Sequence, residues 1–224
     1  MYKACIFDLD GTLANTLRSI TYFSNEALRR CGYHSFTEDE YRYMVGNGAD
    51  RLMHRMLTAA GGEGCDTQNN VDALRRAYDE LYESKPEYLV TNYPGMQETV
   101  AALRERGLLL NVLSNKPHNC TTAVVDFLFP KGTFAVCFGQ HEGVARKPSP
   151  EGALLIAKQI GIAPEECLYI GDTDTDMKTG AAAGMDTAGV LWGFRTRQEL
   201  AENHAVYLAE KPEDLLEIVD RGKR

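Results

Sequence analysis

The chain has 224 residues, of which 44% are hydrophobic and 25% charged, and its formal net charge is −8. Such a length holds one large domain or two small ones, and the balance is ordinary for a globular protein. The acidic surplus, with Lys and Arg scattered, argues against nucleic-acid binding, no two of the six cysteines form a C-x-x-C pair, and no apolar run is long enough to span a bilayer.

The first apolar run covers residues 2–9, with Ala4-Cys5-Ile6-Phe7 at its centre. It predicts a strand that ends abruptly in Asp8, Leu9, Asp10, Gly11 and Thr12. From about residue 15 to 84 no strand pattern is found. Helices are expected over 15–32, 37–45, 49–61 and 69–85, and Thr37 with Glu40 makes a capping box for the second. TNYPG at 91–95 is turn chemistry, and 96–107 is a helix. Strands are then expected over 108–114, 134–139, 167–172 and 187–193, with helices over 118–129, 149–161 and 174–184 between them. Ser149 is the expected N-cap of the helix after RKPSP, with Pro150 at its first position. Near-continuous apolar strands separated by helices mean a parallel sheet covered on both faces. The expected fold is therefore α/β, a doubly wound, mainly parallel sheet interrupted after its first strand by an all-helical insertion. The core comprises 1–14 and 85–224, and the insertion 15–84. Cys5, Cys137 and Cys167 sit in or beside apolar runs as small hydrophobes. With no signal-like segment in view, a reduced, cytoplasmic protein is expected.

Ligands of open parallel sheets bind at the carboxyl ends of the strands. Asp8 and Asp10 stand at such an end. So does Ser114, followed by Asn115, Lys116 and Pro117, and so does Asp172, followed by Asp174 and Asp176. Lys147 lies in RKPSP, just before a helix start. Singly, each has a plain reading: a turn-forming or capping Asp, or a solvated lysine. The DTDTD run does not fit a calcium loop, which needs Gly sixth and Glu twelfth where Met177 and Ala183 stand. Hard oxygen donors from Asp8, Asp10 and Asp172 suit Mg²⁺ together with a phosphate. Residues i and i+2 of an extended segment face the same way, so Asp8 and Asp10 can address one phosphate. Gly11 lets the backbone come close to it.

Taken in order, DLDGT (8–12), VLSNKP around Ser114, RKPSP around Lys147 and GDTDTD (171–176) resemble the four motifs of the haloacid dehalogenase-like hydrolase superfamily, in its phosphatase branch. The resemblance covers nearly the whole chain, helical block included. It implies a Rossmann-like core and the following roles. Asp8 is the nucleophile and forms an aspartyl-phosphate. Asp10 is the general acid and then the base. Asp8, the backbone carbonyl of Asp10, and Asp172 bind Mg²⁺. Ser114 and Lys147 hold the transferring phosphoryl oxygens, and Asp176 orients Lys147 or a metal-bound water. Gly11, Thr12, Asn115 and Lys116 are expected at the substrate. Asp10 favours phosphoryl transfer over C–halogen chemistry, because a halide needs no proton.

The resemblance also implies that the helical block is a mobile cap, hinged at 13–16 and 84–91. Its VGNGADR stretch (45–51) resembles the cap's substrate loop, in which Gly46 and Gly48 free backbone N–H groups and Arg51 pairs with an anionic leaving group. The plain alternative is a helix start with Arg51 on its solvated face. A P-loop is excluded, since no Gly-Lys-Ser/Thr follows. NYPGMQETVAALRERG, SNKP, KPSP and GDTDTDMKTGAAAGM are most similar to phosphoglycolate phosphatases, of which a lysine at the place of Lys116 is typical, although Asn15-Thr16 replace a common Asp-Ser. Phosphoglycolate is the expected substrate. The alternatives are a sugar phosphate, a nucleotide, pyrophosphate, or β-phosphoglucomutase-like transfer. A phospho-acceptor signalling domain would lack both the second acid and the cap, and a scaffold without activity would not keep all four motifs. The expected partner is a small phosphorylated metabolite, with neither nucleic acid nor membrane, in a monomer or homodimer.

Overall fold

The computed structural model describes residues 1–222 and divides into two compact units. One comprises Met1–Asn15 and the chain from Thr91 onward, and the other Thr16–Val90. The chain begins with β1 (Ala4–Phe7), buried along its whole length, as expected of a central strand in a parallel sheet. Its pairing continues one residue further, where Asp8 N donates to Ile170 O at 2.8 Å. A two-residue strand β2 (Ala14–Asn15) pairs antiparallel with β3 (Thr91–Asn92). These pieces are too short for a sequence period, and Thr91 and Asn92 read as part of a turn.

The second unit holds four helices, α1 (Leu17–Arg30), α2 (Glu38–Met44), α3 (Ala49–Gly61) and α4 (Gln68–Tyr82). Leu28, Tyr41, Met53, Leu57 and Leu74 are among its buried side chains, each worth about 1.5–3 kcal/mol over exposure. The capping box of α2 is formed: Glu40 N donates to Thr37 Oγ1 at 3.4 Å, and Thr37 N to the Glu40 carboxylate at 2.7 Å. The unit runs to Val90, past the expected boundary at 84. Aromatic packing accounts for the difference. Tyr88 meets Phe23 and Tyr22 of α1 edge to face, at ring separations of 6.0 and 5.1 Å, which ties the segment after α4 to the helices.

The first unit continues with α5 (Met96–Glu105), β4 (Leu109–Pro117), α6 (His118–Leu128), β5 (Val136–Gln140), α7 (Glu151–Ile160), β6 (Cys167–Gly171), α8 (Asp174–Ala182), β7 (Asp186–Val190), α9 (Arg197–Glu202), β8 (Tyr207–Ala209) and α10 (Asp214–Arg221). The six-stranded sheet has the order β5-β4-β1-β6-β7-β8, every pair parallel. Phe7 is level with Val112 of β4 and Ile170 of β6. The chain moves outward from β1 to β5 and then restarts on the other side at β6. Strand order therefore reverses beside β1, where such sheets leave a crevice at their carboxyl ends. Ile6, Leu113, Ile156 and Tyr169 belong to one buried cluster of this sheet and its helices.

Some details differ from the sequence reading. Ser149 is not the N-cap of α7. Pro150 holds that place, because its carbonyl accepts the first helical bond from Leu154 N, and Ser149 Oγ accepts from Glu151 N one step outside. β4 runs on to Pro117, with a register break between Leu113 and Pro117. All six cysteines are free thiols. No described helix is long and apolar enough to cross a membrane.

Candidate active site

Phe7, Val112 and Ile170 are level on β1, β4 and β6, so Asp8, Ser114 and Asp172 follow within two residues of that level on adjacent strands. Asp8 is buried, and its Oδ1 accepts from Leu9 N at 2.7 Å and lies 2.8 Å from Lys147 Nζ. Lys147 also donates to Asp176 Oδ1 at 2.7 Å. The other oxygen of Asp176 accepts from Thr173 N and Oγ1, at 3.1 and 2.7 Å, closing a capping box at the start of α8. One carboxylate thus caps a helix and anchors the lysine. The T-x-x-D spacing at 173–176 was the available signal for that box. The Lys147 backbone is gripped as well: its N donates to Asn115 Oδ1 at 2.9 Å, and its carbonyl accepts from Asn115 Nδ2 at 3.1 Å.

Asp172 is fully buried. Its Oδ1 accepts from Thr12 Oγ1 at 3.1 Å and its Oδ2 from Phe194 N at 2.8 Å. A Cβ on Gly11 would fall 2.3 Å from Asp172 Oδ2, and one on Gly193 2.3 Å from Asp172 Cβ. Both positions therefore need glycine, and Gly11, at φ 84°, needs it for its backbone too. The sequence reading gave Gly11 to the phosphate. In the structure it makes room for a carboxylate, and Gly193, which no motif marked, does the same from the other side.

Three more of the residues expected at the substrate have partners within the protein. Thr12 is fully buried, with its hydroxyl donated to Asp172 and its carbonyl accepting from Trp192 Nε1 at 2.9 Å, so it braces a carboxylate. Asn115 is spent on the Lys147 backbone. Lys116 Nζ lies 2.6 Å from Asp10 Oδ1. Ser114 Oγ accepts from Lys116 N at 3.2 Å, a bond that leaves its own O–H to donate.

Asp8, Asp172 and Asp176 each place one carboxylate oxygen within 4.8 Å of the others, all three buried. The Asp10 side chain points to Lys116 and is not part of that group. Burial, together with the charge of Asp176, pushes the Asp8 carboxyl up to about 7 against the pull of Lys147. Burial and the charges of Asp176 and Asp8 hold Asp172 well above the usual carboxylate range. Burial works against the Lys147 ammonium, but Asp176 and Asp8 outweigh it and hold its pKa well above that of a free lysine. Asp8, Asp10, Asp172 and Asp176 carry four carboxylates against the two ammoniums of Lys116 and Lys147. Fully ionised, the set is short by the charge of one divalent cation. An all-oxygen donor set of this kind fits Mg²⁺.

In the helical unit, Gly48 is the N-cap of α3, at φ 85°, and Arg51 is exposed. The guanidinium that grips the glycine-flanked turn is that of Arg55, four residues on. It donates to Met44 O at 2.7 Å and to Asn47 Oδ1 at 2.8 Å. It thereby satisfies a carbonyl at the end of α2 that helix geometry leaves open.

A family model described as haloacid dehalogenase-like hydrolase matches residues 5–190. The chain is 29% identical over 222 residues to the phosphoglycolate phosphatase of Aquifex aeolicus, covering 97% of each chain. It is 28% identical to that of Escherichia coli K12, covering 96% of this chain and 91% of the other. A crystal structure from Lactobacillus delbrueckii subsp. bulgaricus, of a protein provisionally named a phosphoglycolate phosphatase, matches with a TM-score of 0.92 at 29% identity, over 97% of this chain and 98% of that one.

Proposed function

The chain belongs to the haloacid dehalogenase-like hydrolase family and is a phosphoric monoester hydrolase, and from that premise we propose that it hydrolyses phosphoglycolate, with Mg²⁺, through a phosphoryl-enzyme intermediate on Asp8. The observation that carries the chemistry is the pairing of two acids, two residues apart, with two different lysines. Asp8 is held by Lys147 among buried carboxylates, and Asp10 is held by Lys116. The names of the relatives support phosphoglycolate as the substrate.

The steps follow from this chain's groups. A carboxylate oxygen of Asp8 attacks phosphorus, and the bond from phosphorus to the leaving oxygen breaks. Asp10 gives its proton to that oxygen, so glycolate departs as an alcohol. Water then attacks the aspartyl-phosphate while Asp10 takes up its proton, and phosphate and the Asp8 carboxylate are regenerated. Lys147 and the Ser114 hydroxyl stabilise charge on the phosphoryl oxygens during both transfers. Asp8, Asp172 and the Asp10 carbonyl, with Asp176 close by, would hold Mg²⁺, which when bound offsets the repulsion between a phosphate dianion and a carboxylate. The 16–90 unit would serve as the cap that selects the leaving group, its 45–48 turn shaped by Arg55.

Initial rates on phosphoglycolate, sugar phosphates, nucleotides and pyrophosphate test the reading. The expected result is the highest kcat/KM on phosphoglycolate. A clear preference for a sugar phosphate or a nucleotide would overturn the substrate while leaving the Asp8 chemistry standing.

A further inference from the structure

We infer that Lys116 is a positioning residue for Asp10, fixing the carboxyl that moves the proton, and is not a contact for the substrate's carboxylate. The inference rests on the reading of Asp10 as general acid and adds to it the group that holds that acid. Lys116 Nζ lies 2.6 Å from Asp10 Oδ1, across 106 positions of sequence, with the lysine side chain 6% exposed and the aspartate 20%. The lysine backbone is held at both ends. Its N donates to Ser114 Oγ at 3.2 Å, and its carbonyl accepts from the buried Thr121 Oγ1 at 3.2 Å. Lys116 also stands in the irregular end of β4, beyond the register break at Leu113, so its side chain leaves the strand where regular pleating no longer applies. An ammonium whose stem is enclosed and whose backbone is pinned presents its charge in one place.

Asp10 needs that help. It lies outside β1, and its carboxyl is the more exposed of the two acids, at 20% of the side chain against 10% for Asp8. With Oδ1 held by Lys116, Oδ2 is the oxygen we assign to the moving proton. A general acid must stand within hydrogen-bond reach of the leaving oxygen, and its contribution of roughly 10²–10⁴-fold depends on that placement. The division of labour is physical: Lys147 serves the nucleophile and the phosphoryl group, and Lys116 serves the proton.

The two roles open to Lys116 differ in their leaving-group dependence. Protonation matters most for poor leaving groups, whether or not they carry a carboxylate. The experiment measures kcat/KM of wild type, Lys116→Met and Asp10→Asn, loaded with Mg²⁺, on phosphoglycolate, ethyl phosphate, phenyl phosphate and p-nitrophenyl phosphate. kcat/KM reports the transfer to Asp8 and is blind to the later hydrolysis step common to all four. For Lys116→Met the expected loss is roughly ten- to a hundredfold on both alkyl esters, a part of what general acid catalysis supplies, and it shrinks steadily as the leaving group improves. Asp10→Asn should show the same trend more steeply.

A loss confined to phosphoglycolate and carried by KM would overturn the inference in favour of a carboxylate contact. An equal loss on all four esters, or no loss, would overturn it as well. If Asp10→Asn itself shows no leaving-group trend, the general-acid assignment fails. If it shows the trend and Lys116→Met does not, only the role of Lys116 fails. Should Lys116→Met not fold by circular dichroism, Lys116→Gln is judged by the same trend.

Discussion

Replacing Lys147 by Met keeps the stem and removes the charge between Asp8 and Asp176. Both partners are buried, at 2.8 and 2.7 Å, and the lysine side chain is 5% exposed. Removing one partner of a buried ion pair costs about 3–5 kcal/mol, because the other charge is left without compensation. At about 2–4 °C per kcal/mol for a chain of this size, the melting temperature should fall by about 6–20 °C. The loss should depend on pH, and the sign is fixed by Asp8. Its carboxyl lies at about 7 with Lys147 lowering it, above the unfolded value near 3.9. A carboxyl raised on folding destabilises progressively as pH rises from its unfolded toward its folded value. Lys147→Met raises Asp8 further, so the deficit against wild type should be smaller at pH 5.5, where Asp8 is protonated and only the pair with Asp176 is lost, than at pH 8. The assay is thermal unfolding of metal-free wild type and variant at both pH values, followed by circular dichroism. A deficit equal at both pH values would refute the reasoning, as would one under about 2 °C at pH 8. In turnover the variant should lose about 10²–10³-fold in kcat, the scale of one electrostatic contact to a transferring group.

Asp8→Asn is nearly isosteric and should abolish turnover with the fold intact; ³²P trapped by acid quench in wild type should map to the peptide that holds Asp8, and a label elsewhere would disprove the nucleophile assignment. Mg²⁺ competes with protons at Asp8 and Asp172, both raised by burial and like charge, so its affinity should strengthen as pH rises through about 7, with proton release on binding. Calorimetry in two buffers of different ionisation enthalpy checks this, and a flat pH dependence would count against these ligands. Gly193→Ala puts a Cβ 2.3 Å from Asp172 Cβ and should weaken Mg²⁺ binding about 10–100-fold, the usual effect of disturbing the support of a metal ligand. Unchanged affinity in the same calorimeter would remove Gly193 from that role.

The order and type of most elements, and the chemistry of the site, were legible in the chain because both are written over a few adjacent residues. ACIF is a buried strand and DLDGT its end, whatever lies elsewhere, and Thr37 to Glu40 is a capping box within one turn of helix. Three strand ends carrying Asp8, Ser114 and Asp172, with Lys147 just before a helix start, were enough to predict one shared site, since a parallel sheet lines up its carboxyl ends. Which side chain serves which was not legible. Lys116 was read as meeting substrate and reaches Asp10, 106 positions away. Asn115 holds the Lys147 backbone and Thr12 braces Asp172. Gly193 and the Phe194 N–H close around Asp172 without any motif of their own. Such pairings depend on strand register and on a break in pleating at the end of β4, neither of which leaves a local periodic signal. They arise where residues 22 to 160 positions apart are packed too tightly for a buried polar group to remain without a partner.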